Sequence, residues 1–99
     1  MKIADILSPE CVISDLKATT KKDILAELAT PVAAEYKLDL EEVVTVLLSR
    51  EKLGSTGIGE GVAIPHGKIG GIKNIIAVIG KSLQGLKFDA IDGKPCHIF

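Results

Sequence analysis

The sequence predicts one α/β domain with α+β character, a mixed β-sheet flanked by helices. Three observations carry that expectation. The 99 residues suffice for one domain and one core. Almost half are apolar, yet only Tyr36, Phe88 and Phe99 are aromatic, so the core must be aliphatic, which suits a sheet packed against helices. Helical periodicity fills the first half, and short apolar runs bounded by glycine and proline fill the second.

The elements follow in order. Cys11, Val12 and Ile13 make a short apolar run after Pro9, a first strand. Thr20 followed three residues later by Asp23 is a helix start of the capping-box kind. Ile24, Leu25, Leu28, Ala29, Val32, Ala33 and Tyr36 then recur at helical spacing, and Pro31 should kink that helix or split it near Thr30. A second helix is capped by Asp39, with Glu42 completing the box and Val43, Val44, Val46, Leu47 and Leu48 as its apolar residues. Arg50 and Lys52 sit in its last turn, where cations suit the dipole, and Gly54 lies just past its end. Residues 54–61 read as a glycine-rich loop and 62–64 as a short buried strand stopped by Pro65. Gly70-Gly71 is a turn, 75–79 a buried strand and 80–85 a loop. Asp92-Gly93 is a turn, Pro95 ends it, and 96–99 open another strand.

The formal net charge is −1, with both signs mixed and no basic block, which argues against nucleic acid as a partner. No apolar run approaches a membrane span; the longest are 43–48, broken by Thr45, and 75–79. Asp5 stands where a signal peptide needs apolar residues. Cys11 and Cys96 form no C-x-x-C pair and read as small buried apolar residues. A reduced, cytoplasmic chain is the simplest reading, although two cysteines suffice for one bridge.

Chemistry concentrates between Arg50 and Lys68. Gly54 and Gly59 have Walker-loop spacing, but Glu60 stands where the lysine belongs. Val62 replaces the third glycine of a dinucleotide fingerprint, and Leu53 the first glycine of a nucleophile elbow around Ser55. Two histidines and two cysteines without close spacing make no zinc site. No metal or other cofactor is therefore expected. What remains is a run of backbone N–H groups at Gly57, Gly59 and Gly61 that can form a concave anion site, with the Ser55 and Thr56 hydroxyls beside it. Arg50 suits bidentate phosphate contact, and Lys68 adds charge. His66, fixed between Pro65 and Gly67, offers a ring nitrogen as nucleophile and can split one phosphoryl transfer into two.

Each residue also has a plainer role. Arg50 can be a helix-end cation, Lys68 a solvated charge, and Ser55 and Thr56 the holders of a turn. His97 lies in a strand as a packed or rim residue, and Gly70, Gly71, Gly85 and Gly93 form turns.

The stretch from Ser55 to His66 resembles the active-site pattern S-T-G-I-G-x-G-x-A-I-P-H of the fructose/mannitol type (type 2) of phosphotransferase-system enzyme IIA, and its nitrogen-regulatory branch in particular. Residues 88–95, F-D-A-I-D-G-K-P, resemble the family's later F-D-A-x-D-x-x-P segment. The resemblance spans essentially all 99 residues. It implies the phosphotransferase/anion-transport-protein-like fold and phosphorylation of His66 by the phosphohistidine of the carrier protein HPr, with Arg50 supporting the site. In sugar-transporting members the group passes next to a cysteine on an enzyme IIB domain. In a regulatory member the phosphoryl group is a signal, and partner binding changes with the charge on His66.

The family domain normally continues about half as long again, and in many members that part supplies a second histidine near the active one. Residues 1–99 are thus expected to be a single domain truncated at its C-terminus. An uncovered apolar face or unpaired sheet edge would then favour self-association.

Overall fold

Among the described residues, 2–72 and 74–99 of the computed structural model, the elements run α1 (Ile3–Ile6), β1 (Leu7–Ile13), α2 (Lys21–Tyr36), α3 (Leu40–Lys52), β2 (Gly57–Gly59), β3 (Val62–Ala63), β4 (Ala77–Leu86) and β5 (Cys96–Ile98). The strands form one mixed sheet in the order β1-β4-β5-β3-β2. β1 runs parallel to β4, β5 antiparallel to β4 and parallel to β3, and β2 and β3 form a hairpin.

Local chemistry explains both long helices. The Thr20 hydroxyl accepts the Asp23 N–H at 3.2 Å and opens α2. Pro31 does not split this helix, which runs unbroken through it. Its buried stripe, Ile24, Leu25, Leu28, Ala29, Val32 and Ala33, lies on both sides of the proline, so packing carries the helix across one lost hydrogen bond. The Asp39 carboxylate opens α3 by accepting the N–H of Glu41 at 3.0 Å, one position earlier than a capping box with Glu42 would use. Arg50 and Lys52 occupy its last turn.

Two strands, β1 and β4, are longer than the sequence suggests. β1 begins at Leu7, not Cys11, and tolerates Pro9 because it is an edge strand whose pairing is irregular between Leu7 and Val12. The expected strand at 75–79 begins at Ala77, and the expected loop at 80–85 is its continuation as β4. Gly80 and Ser82 face the core while Lys81 and Leu83 face solvent, an ordinary alternation hidden by two glycines. Pairing with β5 then shifts register before Leu86, where Gly85 has φ +81°.

The core joins Leu16, Ile24, Leu25, Leu28, Ala63, Leu86, Ala90 and Cys96 to Phe88 and Phe99. It is mostly aliphatic, with one aromatic pair inside it. Phe88 is the largest fully buried side chain, and its ring meets that of Phe99 edge to face at 5.3 Å and 67°.

Gly80 lies where α2 presses on β4. A Cβ there would stand 2.6 Å from Leu16 Cδ1 and 2.8 Å from Leu28 Cδ2. Gly80→Ala should lose roughly 1–3 kcal/mol by overpacking, seen as a lower urea midpoint with unchanged slope. An unchanged midpoint would show that both leucines yield freely.

Candidate functional site

The stretch read as a glycine-rich loop is mostly the β2–β3 hairpin. Glu60 and Gly61 form its two-residue turn with φ +56° and +80°, the signs a type I′ turn requires. Gly61 adopts that conformation without strain; Glu60 does not, and its N–H is held by the Asp92 carboxylate at 2.9 Å. Gly59 and Gly61 therefore shape the turn end of the hairpin. Its open end, at Thr56 and Ile64, leads to His66.

At that end the N–H of Ile64 bonds the Thr56 carbonyl at 3.0 Å, and the Ile64 carbonyl lies 2.9 Å from Nδ1 of His66. A carbonyl only accepts, so Nδ1 carries the ring proton. Nε2 then holds the lone pair of the neutral ring, and the His66 side chain is exposed. Pro65 and Gly67 flank it. A Cβ on Gly67 would overlap Val46 of α3, so glycine lets the segment after His66 lie against that helix. Arg50 is one turn beyond Val46, on the same face of α3. Its guanidinium donates to the Gly54 carbonyl at 2.8 Å.

The other hydroxyls are already engaged. Ser55 Oγ donates to the Phe88 carbonyl and accepts the Gly57 N–H at 3.0 Å. Thr56 donates both its N–H, at 3.2 Å, and its hydroxyl to the Glu51 carboxylate. Glu51 is buried, and Lys21 Nζ reaches it at 3.1 Å. Sequence reasoning passed over Glu51. The available signal was an acid in the last turn of a helix, against the dipole. Lys68 is exposed, beyond the histidine.

Residues 88–95 hold the hairpin from the side. Besides the Ser55–Phe88 bond, the Ile91 N–H donates to the Gly57 carbonyl at 3.3 Å, and Ala90 packs where a Cβ on Gly57 would stand, 2.8 Å away. The two motifs are thus one piece of structure. His97 is a rim residue of β5: its Nδ1 lies 2.9 Å from the Ser82 carbonyl and its ring covers Gly85. Cys11 and Cys96 are both free and buried, and burial raises both thiols above the ordinary 9.0. Among the described residues no three His, Cys, Asp or Glu side chains cluster as a metal site, and no helix is long and apolar enough to cross a membrane.

The fold is that of a solved nitrogen regulatory protein, IIA-Ntr from Neisseria meningitidis, with a TM-score of 0.90 at 38% identity over 97% of this chain and 66% of that one. The chain belongs to the EIIA 2 family of the phosphoenolpyruvate-dependent sugar phosphotransferase system, whose model matches residues 5–99. It is 40% identical over 98 residues to a nitrogen regulatory protein of Bradyrhizobium diazoefficiens, covering 99% of this chain and 64% of that protein. It is 33% identical over 99 residues to the fructose-specific EIIABC component of Bacillus subtilis, covering 99% of this chain and 16% of that one.

Asp92 supports the hairpin turn, accepting from Glu60 and, at 3.0 Å, from the Lys94 N–H. Those two bonds, Lys94's first, hold its carboxyl below the ordinary 3.8. A depressed carboxyl stabilises the fold above its unfolded value, and that contribution is lost as pH falls through the folded value. The gap in Tm between wild type and Asp92→Asn should therefore be widest at neutral pH and narrow below pH 3.8. A gap that does not change with pH would show that the carboxylate charge has no part in holding the turn.

Proposed function

We propose that this domain accepts a phosphoryl group on Nε2 of His66 from the phosphohistidine of an HPr-type carrier. The observation that carries the reading is the bond between His66 Nδ1 and the Ile64 carbonyl, which leaves Nε2 as an exposed nucleophile.

In the transfer, the Nε2 lone pair attacks phosphorus in line while the bond from phosphorus to the carrier's histidine breaks. The carrier's ring leaves with that electron pair and needs no proton from His66. The accepting ring now bears phosphorus on one nitrogen and a proton on the other, so positive charge develops across it. The Ile64 carbonyl lies against the protonated nitrogen and stabilises that charge without reorganising. Arg50, one helical turn from the Gly67 contact, is the cation suited to the phosphoryl oxygens. Lys68, exposed two residues after His66, adds positive charge. Ser55, Thr56 and Gly57 act on the phosphate indirectly, by holding the open end of the hairpin. Gly59 and Gly61 fix its turn.

Two routes lead onward. A cysteine of an enzyme IIB domain can take the phosphoryl group, as sugar transport requires. Alternatively the charge on His66 is a signal that alters binding to a regulated protein. The names of the Bradyrhizobium and Neisseria relatives favour the second route. Both use the same first step in the cytoplasm.

That step is tested with phosphoenolpyruvate, enzyme I and HPr. The protein should gain one phosphoryl group, labile in acid and stable in base, and His66→Ala should gain none by intact mass. Undiminished labelling of His66→Ala would end the reading. Adding an enzyme IIB domain to the charged protein separates the routes: loss of label to its cysteine supports transport, and retention supports signalling.

A further inference from the structure

We propose that Glu51 is a positioning residue for His66, acting through Thr56 and Ile64. The inference rests on the reading of His66 as the phosphoryl acceptor and deepens it.

Lys21 and Glu51 break the same local rule. Lys21 opens α2, where the helix dipole disfavours a cation, and Glu51 lies in the last turn of α3, where it disfavours an anion. Each is misplaced on its own helix, and each becomes intelligible through the other. Lys21 Nζ lies 3.1 Å from Glu51 Oε1, 3.6 Å from Asp89 Oδ2 and 4.6 Å from the centre of the Phe88 ring. The pair joins the end of one helix to the start of the other.

A buried carboxylate is costly unless its oxygens are bonded. Glu51, with its side chain only 4% exposed, has three donors: Lys21 Nζ and the N–H and hydroxyl of Thr56. The two bonds to Thr56 fix both the peptide and the side chain of the residue that enters β2. Replacing this residue with a well-packed apolar one would avoid the desolvation cost, so its charge needs a reason beyond stability.

The connected bonds supply one. The Thr56 carbonyl receives the Ile64 N–H at 3.0 Å, and the Ile64 carbonyl in turn receives the His66 Nδ1 proton at 2.9 Å. Four residues, Glu51, Thr56, Ile64 and His66, thus stand in one line from a buried carboxylate to an exposed ring. The line has little slack, because Ser55 and Gly57 on either side of Thr56 are held to residues 88–91. Freeing Thr56 from Glu51 lets the Ile64 carbonyl shift, and the imidazole then loses the partner that selects the Nδ1–H form. Transfer needs the other nitrogen free and aimed, so a small displacement there is costly.

Two measurements on Glu51→Gln, Glu51→Ala and Thr56→Val test this. The first is a two-bond proton–nitrogen correlation spectrum of the unphosphorylated proteins, which reads the tautomer of His66 without any transfer. Wild type should show the Nδ1–H form alone. The variants should show a mixture, smallest in Glu51→Gln, whose amide oxygen still accepts one Thr56 bond. The second is the rate of phosphoryl uptake from phospho-HPr, which should fall on the order of tenfold in Glu51→Ala and less in Glu51→Gln. Should Glu51→Ala not fold, the other two variants carry the test. A pure Nδ1–H signal with wild-type uptake in Glu51→Gln and Thr56→Val would overturn the proposal. Wild-type protein that takes up no phosphoryl group would defeat the acceptor reading alone, because the tautomer spectra still decide whether Glu51 positions the ring.

Discussion

Ile64 is bonded on both sides of its backbone. Its N–H is held by Thr56 across the open end of the hairpin, and its carbonyl holds the His66 ring two residues later. A short chain segment outside regular structure thereby gains a fixed direction. Histidine has two chemically distinct nitrogens, and which one reacts depends on what the other is bonded to. In this fold the backbone itself makes that choice, which requires Ile64 to stay where the hairpin puts it.

Much of the surrounding structure serves that requirement. Glu51 and Lys21 bind the ends of two helices to Thr56. Residues 88–95 grip the hairpin through Ser55, Gly57 and Glu60. Phe88 belongs to both systems, since its carbonyl accepts from Ser55 while its ring lies in the core against Phe99 and under Lys21. The site is therefore supported by the core and does not rest on loop residues alone.

The helices were legible because their signals are local, and His66 stood out as a candidate for the same reason. Caps at Thr20 and Asp39, apolar residues at helical spacing and the neighbours of His66 lie within a few positions of one another. The misreadings share the opposite property. Glycines at 80 and 85 belong to a strand because Leu16, Leu28 and His97 occupy the space that side chains would need. The run from Gly57 to Gly61 resembles a loop by composition, whereas its turn is set by the sign of φ at Glu60 and Gly61. Glu51 pairs with Lys21, thirty residues away in sequence, and with Thr56, so only the folded chain reveals why an acid ends α3. Residues 88–95 were recognisable as a motif, but their use as a clamp was not.

The central claim is that the Ile64 carbonyl commits Nδ1 to a proton and leaves Nε2 to react. The measurement that bears on it most directly is the position of phosphorus on the ring, read from phosphorus–nitrogen coupling in protein labelled with nitrogen-15 at histidine and charged through HPr. The account predicts phosphorus on Nε2 of His66, with the Nδ1 proton retained. Phosphorus on Nδ1 would contradict it, because that nitrogen would then have to surrender its bond to Ile64.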